Sequence, residues 1–270
     1  MIHVLKRYWL TIAVVSLSGC ATVGPSRELG PCAQTACDLS KLAKEISTAD
    51  YRGQSDYLRL LASKSLSYLE STPEGNIARY WRGFALWREA LNRLNGGASR
   101  ESVDSVLSAA IAEFGELLVL QPKNVEAMVG LAGCLQVRIF LWADDSRVFQ
   151  ATIVRAAIPG KMMREIQPDN LRVGWIVANA LYRTPESAGG GRALAITYAE
   201  NLLSKLQPAN LPDALQPQWG RVELMASLAW MLNDINPGDK RALEIAIEAL
   251  ALRPDWYYLS ETLIPALRKR

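Results

Sequence analysis

The sequence predicts an all-α protein made of antiparallel helix pairs, and three observations predict it. From about Ser55 onward, apolar residues recur at three- and four-residue spacing, the period of a helix with one buried face. Proline or glycine clusters separate these segments, and no stretch alternates with period two for long, so strands are not expected. Half of the 270 residues are apolar, enough for one elongated domain or a repeat array to bury a substantial core. Helices are expected near 55–71, 76–94, 101–120, 124–142, 147–166, 170–183, 190–206, 216–233, 239–252 and 256–268.

The chain opens with His3, Lys6 and Arg7, followed by the apolar run from Trp9 to Leu17, which is too short to span a bilayer. The run ends in Leu17-Ser18-Gly19-Cys20, which resembles the lipobox of bacterial lipoproteins. An ordinary signal peptide with a chance cysteine, or a buried N-terminal helix, is the alternative. The resemblance implies removal of residues 1–19, lipidation of Cys20, and attachment to the periplasmic face of a membrane. Ala21 resembles the outer-membrane sorting pattern. Several acyl chains anchor a protein almost permanently, whereas one does so only marginally. Without Lys6 and Arg7 the chain has 28 basic and 27 acidic residues, a formal charge of +1, which gives nucleic acid no electrostatic footprint.

Residues 20–54 read as a lipidated tether, and residues 55–270 as the helical domain. Cys32 and Cys37 stand in the turn-rich stretch Gly30-Pro31-Cys32-Ala33-Gln34-Thr35-Ala36-Cys37. A disulfide between them would contribute about 2 kcal/mol in the chain-entropy model, given unstrained geometry. Two thiols without a second pair or a histidine cannot fill a tetrahedral metal shell. Cys134, in Gly130-Leu131-Ala132-Gly133-Cys134, reads as a small buried hydrophobe.

The only histidine, His3, lies in the expected signal, so histidine-based nucleophile pairs, general bases and zinc sites are excluded from the mature chain. Carboxylate-only chemistry needs two acidic residues flanking a bond. The adjacent pair Asp144-Asp145 reads instead as a helix end or N-cap before Ser146. Gly189-Gly190-Gly191-Arg192 lacks the Lys-Ser/Thr of a phosphate loop and reads as a joint. No enzyme activity, metal or cofactor is expected.

A search for repeats turns "helical" into "arrayed". Ala110 with Phe114 four residues later and Pro122 eight beyond that resembles the second helix of a tetratricopeptide (TPR) repeat, and Val125 to Leu135 follows in first-helix positions. The phase returns at Ala242, Ala246, Ala249 and Pro254, and more faintly at Ala156 and Pro168. Pro122, Pro168, Pro208 and Pro254 are spaced by 46, 40 and 46 residues, longer than the family's usual thirty-four. The family's first-helix tryptophan and glycine are mostly absent, with Trp81, Phe84 and Ala85 coming closest. The resemblance implies helix pairs stacked as a TPR-like right-handed α-solenoid; an irregular bundle is the alternative.

Such arrays bind peptides, extended segments or partner domains on their concave face. The first-helix phase places Arg79, Arg82, Glu126, Gln136, Arg172, Trp175, Asn179 and Tyr182 there. The three arginines would suit a carboxylate and the aromatics would add flat contact area. Trp175 and Tyr182 as core, with the arginines as a solvated face, is the plainer reading. Trp256-Tyr257-Tyr258 reads as an aromatic cap on the exposed end of the array.

These features predict a lipid-anchored, non-enzymatic scaffold or adaptor that binds a periplasmic protein or peptide. In architecture it resembles the T-component lipoproteins of tripartite ATP-independent periplasmic (TRAP) transporters. That resemblance implies a solute-binding partner protein, trimerisation and a small hydrophobic ligand passage. The alternative is a lipoprotein of pilus or outer-membrane assembly whose groove holds a client chain.

Overall fold

A computed structural model describes residues 31–69, 74–205 and 215–269; the expected signal and Cys20 lie outside the described residues. Eleven α-helices follow one another among these residues. They are α1 Pro31–Tyr51, α2 Ser55–Lys64, α3 Glu74–Asn95, α4 Arg100–Leu120, α5 Val125–Leu141, α6 Ser146–Ile166, α7 Leu171–Arg183, α8 Arg192–Lys205, α9 Arg221–Ile235, α10 Lys240–Leu252 and α11 Ile264–Arg268. A 3-10 turn over Ser65–Tyr68 extends α2, and a π-helical stretch over Tyr258–Leu263 runs into α11.

The sequence sets these boundaries through two local devices. At the starts, the side chains of Ser99, Asn124, Asp145, Asn170 and Asp239 accept hydrogen bonds from the first free amides of α4, α5, α6, α7 and α10. At the ends, Gln121, Gln167 and Arg253 each precede a proline and leave the helical region at ψ 77°, 70° and 74°. A proline ring excludes its predecessor from the α region, so α4, α6 and α10 stop at the same kind of residue.

Packing is sequential. Apart from α6 and α7, each helix lies against the next, and the odd-numbered helices α1, α3, α5, α7 and α9 also pack side by side in a second set of contacts. Glycines permit the closest approaches. A Cβ on Gly133 would fall 2.1 Å from Cζ2 of Trp87, and one on Gly130 would fall 2.2 Å from Cζ of Phe114. The α5 backbone therefore sits directly on two aromatic rings. One core cluster runs from α1 to α7 and a second from α7 to the C-terminal segment. Helix α6 packs against α5 but barely touches α7.

Three features depart from expectation. First, helical packing does not begin at Ser55: α1 occupies most of the stretch read as a tether and buries Leu39, Leu42, Ala43, Ile46 and Ala49. Second, α9 starts at Arg221 rather than near 216, because residues 215–220 run across the odd-numbered helices instead of winding up. There the Leu215 carbonyl accepts from Trp81 Nε1 at 3.0 Å, and the Pro217 and Trp219 carbonyls accept from Arg172 Nη1 at 3.1 and 3.2 Å. Third, Trp256 does not cap an open end. It lies under Tyr51 of α1, ring centroids 5.4 Å apart, with Arg253 4.2 Å from the same tyrosine ring. Arg52 and Asp255 approach to 3.9 Å beside them, so the first helix meets the last segments of the chain.

The cysteine stretch is helical too. Cys32 and Cys37 both fall within α1, where residues five apart are separated by about 7.5 Å along the axis. A disulfide needs its Cα atoms within about 7 Å, so a bridge here would require the first turn of α1 to unwind. Cys37 is a free, exposed thiol; the side chain of Cys32 lies outside the described residues.

Candidate functional site: a groove across α3, α5 and α7

Where the three central odd-numbered helices lie side by side they leave a groove of ≈ 480 Å³. Trp87, Leu91 and Leu94 of α3 form one wall, Gly133, Val137 and Phe140 of α5 the floor, and Trp175 and Ile176 of α7 the other wall. Its polar lining is Asn95, Gln136, Asn179 and Arg183. An apolar concavity with a few fixed polar groups is the usual form of a binding site.

The aromatic wall is rigid because it belongs to a larger cluster. Trp87 lies 5.7 Å from Trp175 and 5.8 Å from Trp219, and Trp175 lies 5.6 Å from Trp219. Trp219 also tilts against Phe84 at 5.5 Å and donates its Nε1 proton to the Tyr80 hydroxyl at 3.2 Å. Trp175 Nε1 donates to Ser227 Oγ at 2.8 Å, fixing its ring against α9. Trp87 Nε1 is buried with no hydrogen-bond partner among the described residues.

The polar rim is fixed in part. Gln136 donates to the Ile176 carbonyl at 2.8 Å, and Asn179 donates to the Trp175 carbonyl at 2.8 Å and to Ser227 Oγ at 3.2 Å. Their side-chain nitrogens are engaged in these bonds. Arg183 stands over the Phe140 ring at 5.4 Å and the Trp230 ring at 5.8 Å, and it pairs with no carboxylate among the described residues. Phe140 is 55% exposed, so the rim offers an open aromatic face beside a free cation.

Of the eight residues the sequence placed on a concave face, Gln136, Trp175 and Asn179 line this groove. The others are committed elsewhere. Arg79 meets Glu113 at 2.8 Å and Glu116 at 2.6 Å, and Arg82 meets Glu113 at 2.7 Å. Arg172 meets Glu126 at 2.6 Å, and Asn170 donates to the same carboxylate at 2.9 Å. Tyr182 donates to Asp234 at 2.7 Å; burial first, and then that bond, push its phenol up to about 12, so it remains a donor at neutral pH. The three arginines thus already hold protein carboxylates, and the available guanidinium is Arg183, one turn beyond Asn179.

Sequence reasoning missed Arg183, Phe140 and Trp87. The signal for the first two was present: an aromatic and an arginine in the last turns of helices that start two apart in the array. Their partner is three-dimensional, since Phe140 and Arg183 meet only when α5 and α7 lie side by side. The acidic pair is also resolved. Asp145 caps α6, accepting from the amides of Arg147 and Val148, while both Asp144 oxygens accept from Nη1 of Arg100, each at 2.8 Å. The Arg100 hydrogen bond first, then a backbone bond, hold Asp144 below the usual carboxylate range.

Behind the groove, a buried polar network joins α1, α3 and α9. Asp50 of α1 lies 2.8 Å from Arg88 of α3, and Tyr51 donates to Glu223 of α9 at 2.7 Å. Burial outweighs Arg88 in raising the Asp50 pKa, and it raises that of Tyr51 with help from Glu223. For Arg88, burial opposes the charge, but Asp50 and Glu223 together outweigh it and hold the guanidinium protonated. Among the described residues, no cluster of three or more metal-ligating side chains occurs, and no helix is long and apolar enough to cross a membrane. Comparison with family models, curated proteins and solved structures finds no match for this chain.

Proposed function

We propose that the chain is a lipid-anchored periplasmic scaffold or adaptor, in which helix pairs stacked as a TPR-like right-handed α-solenoid present the α3/α5/α7 groove to a partner protein or peptide. One observation carries this reading: an apolar groove with a pre-set tryptophan wall and an unpaired arginine at its rim. A flat or branched apolar side chain fits against Trp87 and Trp175, and a carboxylate of the same segment suits the Arg183 fork. The fixed rings reduce the ordering cost of binding. The groove is lined by apolar and aromatic groups with amides and one guanidinium, a composition that suits recognition.

The lipobox-like Leu17-Ser18-Gly19-Cys20 supports attachment by lipid to the periplasmic face of the outer membrane. In its specific form the partner is a solute-binding protein, as for the T-component of a TRAP transporter. The second form is a pilus or outer-membrane assembly lipoprotein, favoured by the open Phe140 face, which leaves room for an extended client.

The test is photo-crosslinking in intact cells from a benzophenone residue at Val137 or Asn179, followed by mass spectrometry. One abundant soluble binding protein supports the first form, and pilus or outer-membrane subunits support the second. Arg183→Glu should remove the adduct in either case. Adducts that persist in Arg183→Glu, or that form only from sites outside the groove, overturn the reading. Cys20→Ser should release the protein from sedimented membranes, and unchanged sedimentation would contradict the anchor.

A further inference from the structure

Helix α6 is unlike its neighbours. Of its 21 residues only Thr152, Pro159 and Met163 are buried, all on one side. On the opposite side Ala151, Val154, Ala157 and Ile158 fall within an arc of roughly 120° at 100° per residue. Val154 is 71% and Ile158 70% exposed. Arg147 near the start of the helix and Lys161 and Glu165 near its end fall on the same arc, and Arg155 and Arg164 flank it. Glu165 is the helix's one acidic residue and lies 3.8 Å from Lys161. Arg147 and Arg155 pair with no carboxylate among the described residues.

We propose that the outer face of α6 rests on an anionic phospholipid bilayer. An aliphatic stripe bordered by cations on long stems is the pattern of an interfacial helix: the stripe enters the headgroup boundary while the arginine and lysine heads stay at the phosphates. Charge distinguishes this helix from others that also expose apolar groups. Helix α4 exposes Val119 and Leu120, but its one cation, Arg100, already meets Glu101 and Asp144, and its carboxylates Asp104, Glu113 and Glu116 are held by Arg138, Arg82 and Arg79, so it offers an anionic surface no unpaired cation. Helix α10 exposes Ile247 and balances Lys240 and Arg241 with Glu244 and Glu248. A convex aliphatic stripe without an aromatic anchor gives a protein partner little to grip, whereas a bilayer requires no matching shape.

The experiment uses residues 20–270 with Cys20→Ser, so that every described helix is kept and no acyl chain contributes. Co-sedimentation is measured with vesicles of phosphatidylcholine alone and with phosphatidylglycerol added to 30 mol%. Binding is expected to the mixed vesicles only, and to fall steeply in 0.5 M NaCl as screening shortens. Arg147→Gln with Arg155→Gln should weaken it about 25-fold, from roughly fivefold per cation. Val154→Ser with Ile158→Ser should weaken it on the order of tenfold, since the stripe loses its apolar area. Val119→Ser with Leu120→Ser on α4 should leave it unchanged, as should Arg183→Glu, which separates this contact from the groove. Far-UV circular dichroism of each variant verifies that the helices persist. Absence of binding by the parent chain, equal binding to neutral vesicles, or α6 variants that bind like the parent would overturn the proposal, and the first of these would leave α6 to a protein partner.

Discussion

Helices α3 and α6 are nearly equal in length, 22 and 21 residues, yet α3 buries twelve residues and α6 three. Both are helical because the local sequence favours it: spaced apolar residues, a first-turn Glu74 at one, an Asp145 cap at the other. What separates them is the number of neighbours. Helix α3 is packed by α1, α2, α4 and α5, and so it can hold Trp81, Phe84 and Trp87 and even the charged Arg88 and Glu89. Helix α6 has a close neighbour only in α5 and keeps Val154 and Ile158 in solvent. Periodicity therefore reports that a helix has an apolar side, and position in the array decides whether anything covers it.

That contrast can be broken from the α3 side first. Trp87→Ala should destabilise the fold by about 3–5 kcal/mol, because the ring touches Gly133 and two other tryptophans and the space cannot collapse. Urea denaturation monitored by circular dichroism measures it, and a loss under 1 kcal/mol would mean that the cluster is not the centre of the core. Arg88→Met leaves Asp50 buried without its counter-ion and should cost about 3–5 kcal/mol at neutral pH. Because burial raises the Asp50 pKa, the native state then takes up a proton more readily than the unfolded chain. The deficit should be fully present above the raised native pKa and shrink as pH falls through it towards the unfolded value; a deficit that grows on acidification contradicts this sign.

Smaller effects sharpen the comparison. Gly133→Ala should cost about 1–3 kcal/mol by overpacking, since a methyl group meets Trp87 head-on. The α5 cap variant Asn124→Ala should cost about 1 kcal/mol. On α6, Val154→Ser with Ile158→Ser should change stability by less than about 0.5 kcal/mol per site, as for exposed positions in general. A thiol reagent gives the same contrast: Cys37 should label in the native state, whereas Cys134, buried with its pKa pushed well up, should label only on unfolding.

How much of this was legible in the sequence depends on the range of the interaction. Helix ends were readable within a few residues wherever a cap or a pre-proline residue marks them, as at Asn124, Asp145, Gln121 and Arg253, because those signals are local. Helix α1 was overlooked although Leu39, Leu42, Ala43 and Ile46 carry the right spacing; the neighbouring Gly30-Pro31 and paired cysteines suggested a turn. The chemistry of the groove was half visible. Gln136, Trp175 and Asn179, singled out from the repeat phase, line the groove. That Arg79, Arg82 and Arg172 are neutralised depends on Glu113 and Glu126, 31 to 46 residues away, and spacing alone does not show which carboxylate a guanidinium will meet.

The contact between Tyr51 and Trp256 limits how this molecule can change. An open-ended array gains or loses a unit by duplication at modest cost, since each module needs only its immediate neighbour. Here an inserted hairpin would carry Tyr51 away from Glu223 and Trp256 and strand the Glu223 carboxylate and the Tyr51 phenol in apolar surroundings. The tally of modules is thereby frozen, and the chain should come apart in one cooperative step instead of fraying from its tips.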